Sequence, residues 1–158
     1  MTKSVDEKEM IDKVRAAIKD RATWLALLYR SFKEAFPEKE VERAARKAIF
    51  EFGRMKAQKD PKEFSPAAWV ERHVAKGSSL VFDSDVEINE RGAVQRMKFC
   101  ALVEAWREMG CTPQEIDLFC DIAMEGDRGR ADAHGVRMEL EERIARGDQY
   151  CKLEIFDR

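Results

Sequence analysis

This chain lacks most of the features that announce a function. Its longest apolar stretches fall far short of the roughly 20 residues a membrane-spanning helix needs. The N-terminal residues Met1-Thr2-Lys3-Ser4-Val5-Asp6 are polar, without the apolar core of a secretory leader, so a cytoplasmic protein is expected. No basic block or aromatic-basic stripe is present and the formal net charge is -2, which argues against nucleic acid as a partner. Neither Gly-x-Gly-x-x-Gly nor a P-loop occurs, so no organic cofactor is expected. The paired Cys-x-x-Cys spacing of common zinc sites is missing as well. There is no internal repeat and no low-complexity segment.

What remains is 158 residues of two alternating patterns. The length suits one domain, 1–158, with a helical part over 1–77 and a mixed part over 78–158. Apolar residues from Met10 to Phe32 recur at helical spacing, and Pro37 closes that run. A second helix is predicted from Glu38 to Lys56, with Val41, Ala45, Ile49 and Phe52 on one face. Ser65-Pro66 predicts a capped third helix that stops at Gly77. Leu80-Val81-Phe82 and Val86-Glu87-Ile88 then read as short strands, followed by a turn at Arg91-Gly92 and a strand through Met97 and Phe99. Helical spacing returns at Leu102–Met109, and Thr112-Pro113-Gln114-Glu115 predicts a strongly capped helix after it. Gly126 and Gly129 are expected to loosen the polar segment up to His134. Residues 136–145 fit either a helix or a strand. A strand is chosen because Arg146-Gly147-Asp148-Gln149 suits a hairpin turn into the alternating run Tyr150–Phe156. The expectation is an α+β fold: a helical N-terminal half packed with a small antiparallel sheet that carries inserted helices. Trp24 and Trp106 read as core.

Three cysteines stand at predicted element boundaries: Cys100, Cys120 and Cys151. In a reducing compartment they read as core, metal-binding or catalytic thiols rather than bridges. Cys111 reads as core packing, which is also the commoner role for any single cysteine. The region from about Met97 onward resembles the L-2-amino-thiazoline-4-carboxylic acid hydrolase family. The resemblance is carried by Lys98-Phe99-Cys100-Ala101-Leu102-Val103-Glu104-Ala105-Trp106, Gly110, Phe119-Cys120-Asp121, Glu139 and Gly147-Asp148-x-x-Cys151. It implies a hydrolase that opens a small cyclic C–N ring of the thiazoline or amidine kind, with Cys100, Cys120, Asp121, Glu139, Asp148 and Cys151 lining the site.

Opening such a ring requires attack on an sp² carbon held between nitrogen and sulfur, either by a thiolate or by activated water. Cys100 is the better placed nucleophile, because a strand feeding a helix N-terminus leaves backbone N–H groups free, and Lys98 could add charge. Asp121, Asp148 and Glu139 are candidate bases. A carboxylate-bearing small molecule is the expected partner, with Arg128, Arg130 or Arg137 as its anchor and His134 nearby. Zinc held by the three cysteines with Asp121 or His134 is the less favoured arrangement, given their irregular spacing. The rival from another class is a non-catalytic sensory domain binding a small molecule or metal in the same pocket. A homo-oligomer formed through the long first helix is a further option.

Overall fold

The computed structural model describes residues 6–158. Helix α1 (Glu7–Ala35) begins where Asp6 accepts a hydrogen bond from the Glu9 backbone N–H at 2.7 Å, and it ends before Pro37. Helix α2 (Glu38–Ala57) follows directly, and Ser65 caps α3 (Pro66–Ala75) by accepting from the Ala68 N–H. Gly77, at φ 74°, then turns the chain into a single helical turn, α4 (Ser78–Val81). That turn replaces the strand expected at Leu80-Val81-Phe82. Three apolar residues in a row carry no periodicity, and the left-handed Gly77 sets the direction instead.

Strands β1 (Ser84–Asn89) and β2 (Gly92–Met97) form a hairpin with Asn89 opposite Gly92. Gly92 is needed there: at φ 148° its α-carbon passes so close to the Ile155 carbonyl that a β-carbon would collide with it. Helices α5 (Ala101–Glu108) and α6 (Pro113–His134) follow, then β3 (Val136–Leu140), a 3-10 turn (Ile144–Arg146) and β4 (Cys151–Asp157). The sheet is antiparallel throughout, in the order β1-β2-β4-β3. The fold is therefore α+β, with a helical N-terminal half, as the sequence predicts. The β3–β4 connection is longer than the hairpin turn expected at 146–149. It runs through the 3-10 turn and through Gly147 at φ 96°.

The capping box at Thr112 is present: its hydroxyl accepts from the Glu115 N–H at 3.2 Å while the Glu115 carboxylate accepts from the Thr112 N–H at 3.1 Å. The helix it opens does not loosen at Gly126 or Gly129 but runs on to His134, and Gly135 at φ 67° stops it. The glycines serve a contact. Gly53 of α2 faces the Gly126 backbone, Gly129 faces the Phe50 carbonyl, and a β-carbon on Gly53 or Gly129 would strike the partner backbone. This seam offsets the poor helix propensity of glycine.

The core lies between the helices and one face of the sheet. Trp106 and Phe119 are almost fully buried with Tyr29 against them, and the Trp106 indole N–H donates to the Ala22 carbonyl at 2.9 Å. The other tryptophan expected inside, Trp24, is instead 72% exposed, because α1 buries the face formed by Ala22, Ala26 and Tyr29. Cys111 packs in the core with its Sγ 3.3 Å from Arg30.

Candidate functional site

A cavity of about 460 Å³ opens between the helices and the sheet. Its floor is built by strand register. Met97 pairs with Cys151 and Gln95 with Leu153, so these four side chains share one face of the sheet and line the cavity together with Leu140 of β3. Its walls are helix stripes: Val14, Ile18, Arg21 and Leu25 on α1; Ile49, Phe52 and Lys56 on α2; Trp69, Arg72 and His73 on α3, with Lys76 at its C-cap. Helix α6 adds Cys120, Ala123, Met124, Asp127 and Arg130.

Cys100, Cys120 and Cys151 all line this space. Cys100 is the N-cap residue of α5; its thiol makes no cap hydrogen bond, although the nearby backbone N–H groups of Leu102 and Val103 favour its charged form. Enclosure by protein atoms nevertheless outweighs those donors and holds the thiol above its ordinary value. Burial pushes Cys120 up to about 12 and Cys151 up to about 11, with the other thiols of the cluster adding to it. The Cys151 Sγ also accepts from the Ile144 N–H at 3.3 Å. The resting site thus holds thiols, not thiolates. Lys98 does not turn toward Cys100; it is exposed, 3.3 Å from Asp85.

The carboxylates named from sequence lie elsewhere. Asp121 does not line the cavity. It accepts from Arg46 at 2.6 Å, Arg128 at 2.7 Å and Arg143 at 2.9 Å. Burial opposes its charge, but these guanidinium groups hold its carboxyl well below the usual range. Asp148 is exposed and accepts from the Arg143 N–H at 2.8 Å, closing the loop before β4. Glu139 is half-buried on β3, 3.6 Å from Arg137. Arg137 stacks on Phe156 at the surface, 4.9 Å from the ring centroid.

Of the predicted anchors, only Arg130 reaches the cavity. Asp60 holds it there, accepting from Arg130 Nε at 2.7 Å and Nη2 at 2.8 Å. The His134 Nε2 lies 2.9 Å from the same carboxylate, and its ring stacks on Phe64. The cations that sequence reading missed are Arg21, Lys56, Arg72 and Lys76. Among the described residues Arg21, Lys56 and Lys76 have no carboxylate partner within 4.0 Å, whereas Arg72 Nε lies 2.9 Å from Asp60. Asp127 and His73 also line the space. Burial, with Arg130 and Lys76 nearby, pushes His73 down to about 4, so the ring is neutral near pH 7 and its Nε2 meets the Ser84 hydroxyl at 2.9 Å. Among the described residues, no group of three or more His, Cys, Asp or Glu side chains gathers as a metal-ion site.

The family model for L-2-amino-thiazoline-4-carboxylic acid hydrolase matches residues 9–155, nearly the whole chain. The chain belongs to that family. The match takes in the helical N-terminal half that supplies Arg21, Lys56 and Lys76, as well as the cysteine segments. The family's name points to hydrolysis of a small heterocycle that carries a carboxylate. No curated protein and no solved structure gave a significant match. No helix among the described residues is long and apolar enough to cross a membrane.

Proposed function

We propose that the cavity hydrolyses a small cyclic amidine bearing a carboxylate, of the 2-amino-thiazoline-4-carboxylate type. One observation carries this reading. In a chain of this family, three thiols and an excess of basic side chains line a single cavity of about 460 Å³, a size suited to one small ligand. The substrate carboxylate sits among Arg21, Lys56 and Lys76, the cations without carboxylate partners among the described residues.

Cys100 is the nucleophile in this proposal, because it alone of the three thiols stands at an α-helix N-terminus and is only half-buried, whereas Cys120 and Cys151 are buried. Since burial favours the thiol, its proton passes to the substrate's own ring nitrogen as the bond forms. The Sγ adds to the carbon of the protonated amidine and the C=N electrons move onto the ring nitrogen. That nitrogen takes the thiol proton, and the ring C–N bond breaks with the nitrogen leaving as a neutral amine. Water then adds to the same carbon and Sγ departs as thiol, leaving an open-chain carbamoyl product with one water consumed. Cys120 and Cys151 shape the pocket beside it.

The test is ring opening followed by mass spectrometry for the wild type and for Cys100→Ser, Cys120→Ser and Cys151→Ser. Cys100→Ser is expected to lose roughly a thousandfold or more in kcat, the other two much less. Full activity in both Cys100→Ser and Cys120→Ser removes the thiol mechanism. Absence of turnover by the wild type removes the hydrolase reading.

A further inference from the structure

Two polar groups in the cavity face it without a partner. The Asp127 carboxyl has no hydrogen-bond or ion-pair partner among the described residues, although it lines a cavity that also holds Lys56, Arg130 and Arg21. Its accessible surface is that of a half-buried residue, yet protein atoms enclose it closely, the combination expected of a group exposed only to a cavity. The second group is Gln95 on the floor, 3% exposed, whose side-chain carbonyl oxygen is buried and accepts no hydrogen bond. Buried polar atoms are normally satisfied, and an unmade bond to one costs about 1–3 kcal/mol. Both groups are acceptors, and both line the space that contains the thiols.

Two unpartnered acceptors lining one cavity suit a ligand with several N–H donors. A carboxylate meets an amidinium with two parallel N–H···O bonds, as it meets a guanidinium. We propose that Asp127, assisted by the Gln95 carbonyl, binds the amidinium end of the ligand and makes the cavity selective for rings that carry both a cation and a carboxylate. This inference rests on the reading of the cavity as the substrate site and adds what that reading leaves open: which end of the ligand is recognised, and by what. Burial raises the Asp127 carboxyl above its ordinary value, outweighing the nearby cations. An incoming amidine therefore meets either a proton to accept or a charge to pair with, and both end as the same ion pair. The ligand carboxylate would pair with the cations of the cavity and the amidinium with Asp127, whose nearest charges include Lys56, Arg130 and Arg21, so the two ends are held in one polar region of a cavity that the thiols also line.

Binding can be measured without turnover by using two inert probes of nearly equal shape, guanidinoacetate and ureidoacetate. Each has a carboxylate, but only the first is cationic at its other end. Titration of the full chain is expected to show guanidinoacetate bound roughly ten- to a hundredfold more tightly. In Asp127→Asn that preference should collapse through loss of guanidinoacetate alone, with ureidoacetate changing less than about threefold. Gln95→Met, a substitution on the sheet, should show the same selective loss on a smaller scale, and it keeps the test independent of how Asp127→Asn folds. Equal weakening of both probes in Asp127→Asn, equal affinity of both for the wild type, or binding of neither overturns the proposal. Equal wild-type affinities with sustained ring opening would leave the hydrolase reading standing. A clear preference for guanidinoacetate without any ring opening would leave the amidinium site standing and remove the hydrolase.

Discussion

Asp121 lies beside Cys120 in sequence and could serve either as a base or as a structural tie, and one substitution separates the two. In Asp121→Ala, Arg46 keeps Glu42 at 2.8 Å and Arg128 keeps Glu125 at 2.8 Å, so each of these half-exposed pairs costs about 0–1 kcal/mol. Arg143 is different. Its side chain is 8% exposed, and without Asp121 it retains only the Leu140 carbonyl at 3.1 Å and Asp117 at 3.9 Å. Removing one partner of a buried pair costs about 3–5 kcal/mol, and the partial exposure of Asp121 favours the low end. A loss of about 3 kcal/mol is expected in urea unfolding, which lowers Tm by roughly 6–12 °C for a chain of this size. Adding Arg143→Met should restore much of that loss, because the orphaned charge goes with it. Ring opening per folded molecule should stay within about threefold of wild type, since Asp121 does not reach the cavity. An Asp121→Ala protein as stable as wild type, or one that is stable but inactive, would refute this assignment.

Gly53→Ala places a β-carbon 2.7 Å from the Gly126 carbonyl carbon and 2.9 Å from the Arg130 backbone nitrogen. The gain of about 1 kcal/mol in helix propensity should be outweighed by an overpacking cost of about 1–3 kcal/mol or more; a variant more stable than wild type in urea would contradict it. His73 is held near 4, below its unfolded value, so the unfolded chain binds more protons between these pH values and stability falls as pH drops from about 6.5 toward 4. Glu115, lowered to about 2 by Arg30, loses its contribution only below about pH 4.5. His73→Gln should therefore flatten the upper part of the acid-unfolding profile alone, and an unchanged slope there would count against a buried neutral ring. With Cys120 near 12 and Cys151 near 11, alkylation of these two residues by iodoacetamide at pH 8, followed by peptide mass spectrometry, should be at least about tenfold slower in the native state than in denaturant. Equal rates would mean that the sulfurs are not enclosed.

The fold was legible wherever the local signal was strong. The Thr112 capping box, the Ser65 cap and the two long periodic runs placed four helices, and alternation placed β2 and β4. The misses have physical causes. Leu80-Val81-Phe82 is too short to show a period, and Gly126 and Gly129 look like breakers until the backbone of α2 is seen against them. The site was half legible. Cys100 is the N-cap residue of α5 and Cys151 begins β4, whereas Cys120 lies inside α6 rather than at the boundary expected; it joins them because its face of α6 lines the same cavity. Asp121 stands out in sequence as the neighbour of Cys120, and Glu139 and Asp148 through the resemblance and an expected hairpin approach to Cys151; but on a helix the next residue points about 100° away. Cys120 faces the cavity, so Asp121 turns to the arginines outside. Two turns later Asp127 returns to the same face. A usable signal was present: Arg21 interrupts the apolar stripe of Val14, Ile18 and Leu25, and Lys56 and Asp127 each follow apolar residues on the same face of their helices. A charge in such a stripe marks a cavity rather than packed core.

The glycine seam between α2 and α6 reaches beyond stability. Phe52 and Lys56 on one helix, and Met124 and Asp127 on the other, line adjoining walls of the cavity. The angle and spacing of those walls are set by hydrogen atoms standing where methyl groups would otherwise be. A relative with alanine at position 53 or 129 must hold its two helices farther apart. Such a relative would admit a broader heterocycle without altering a single residue that touches it.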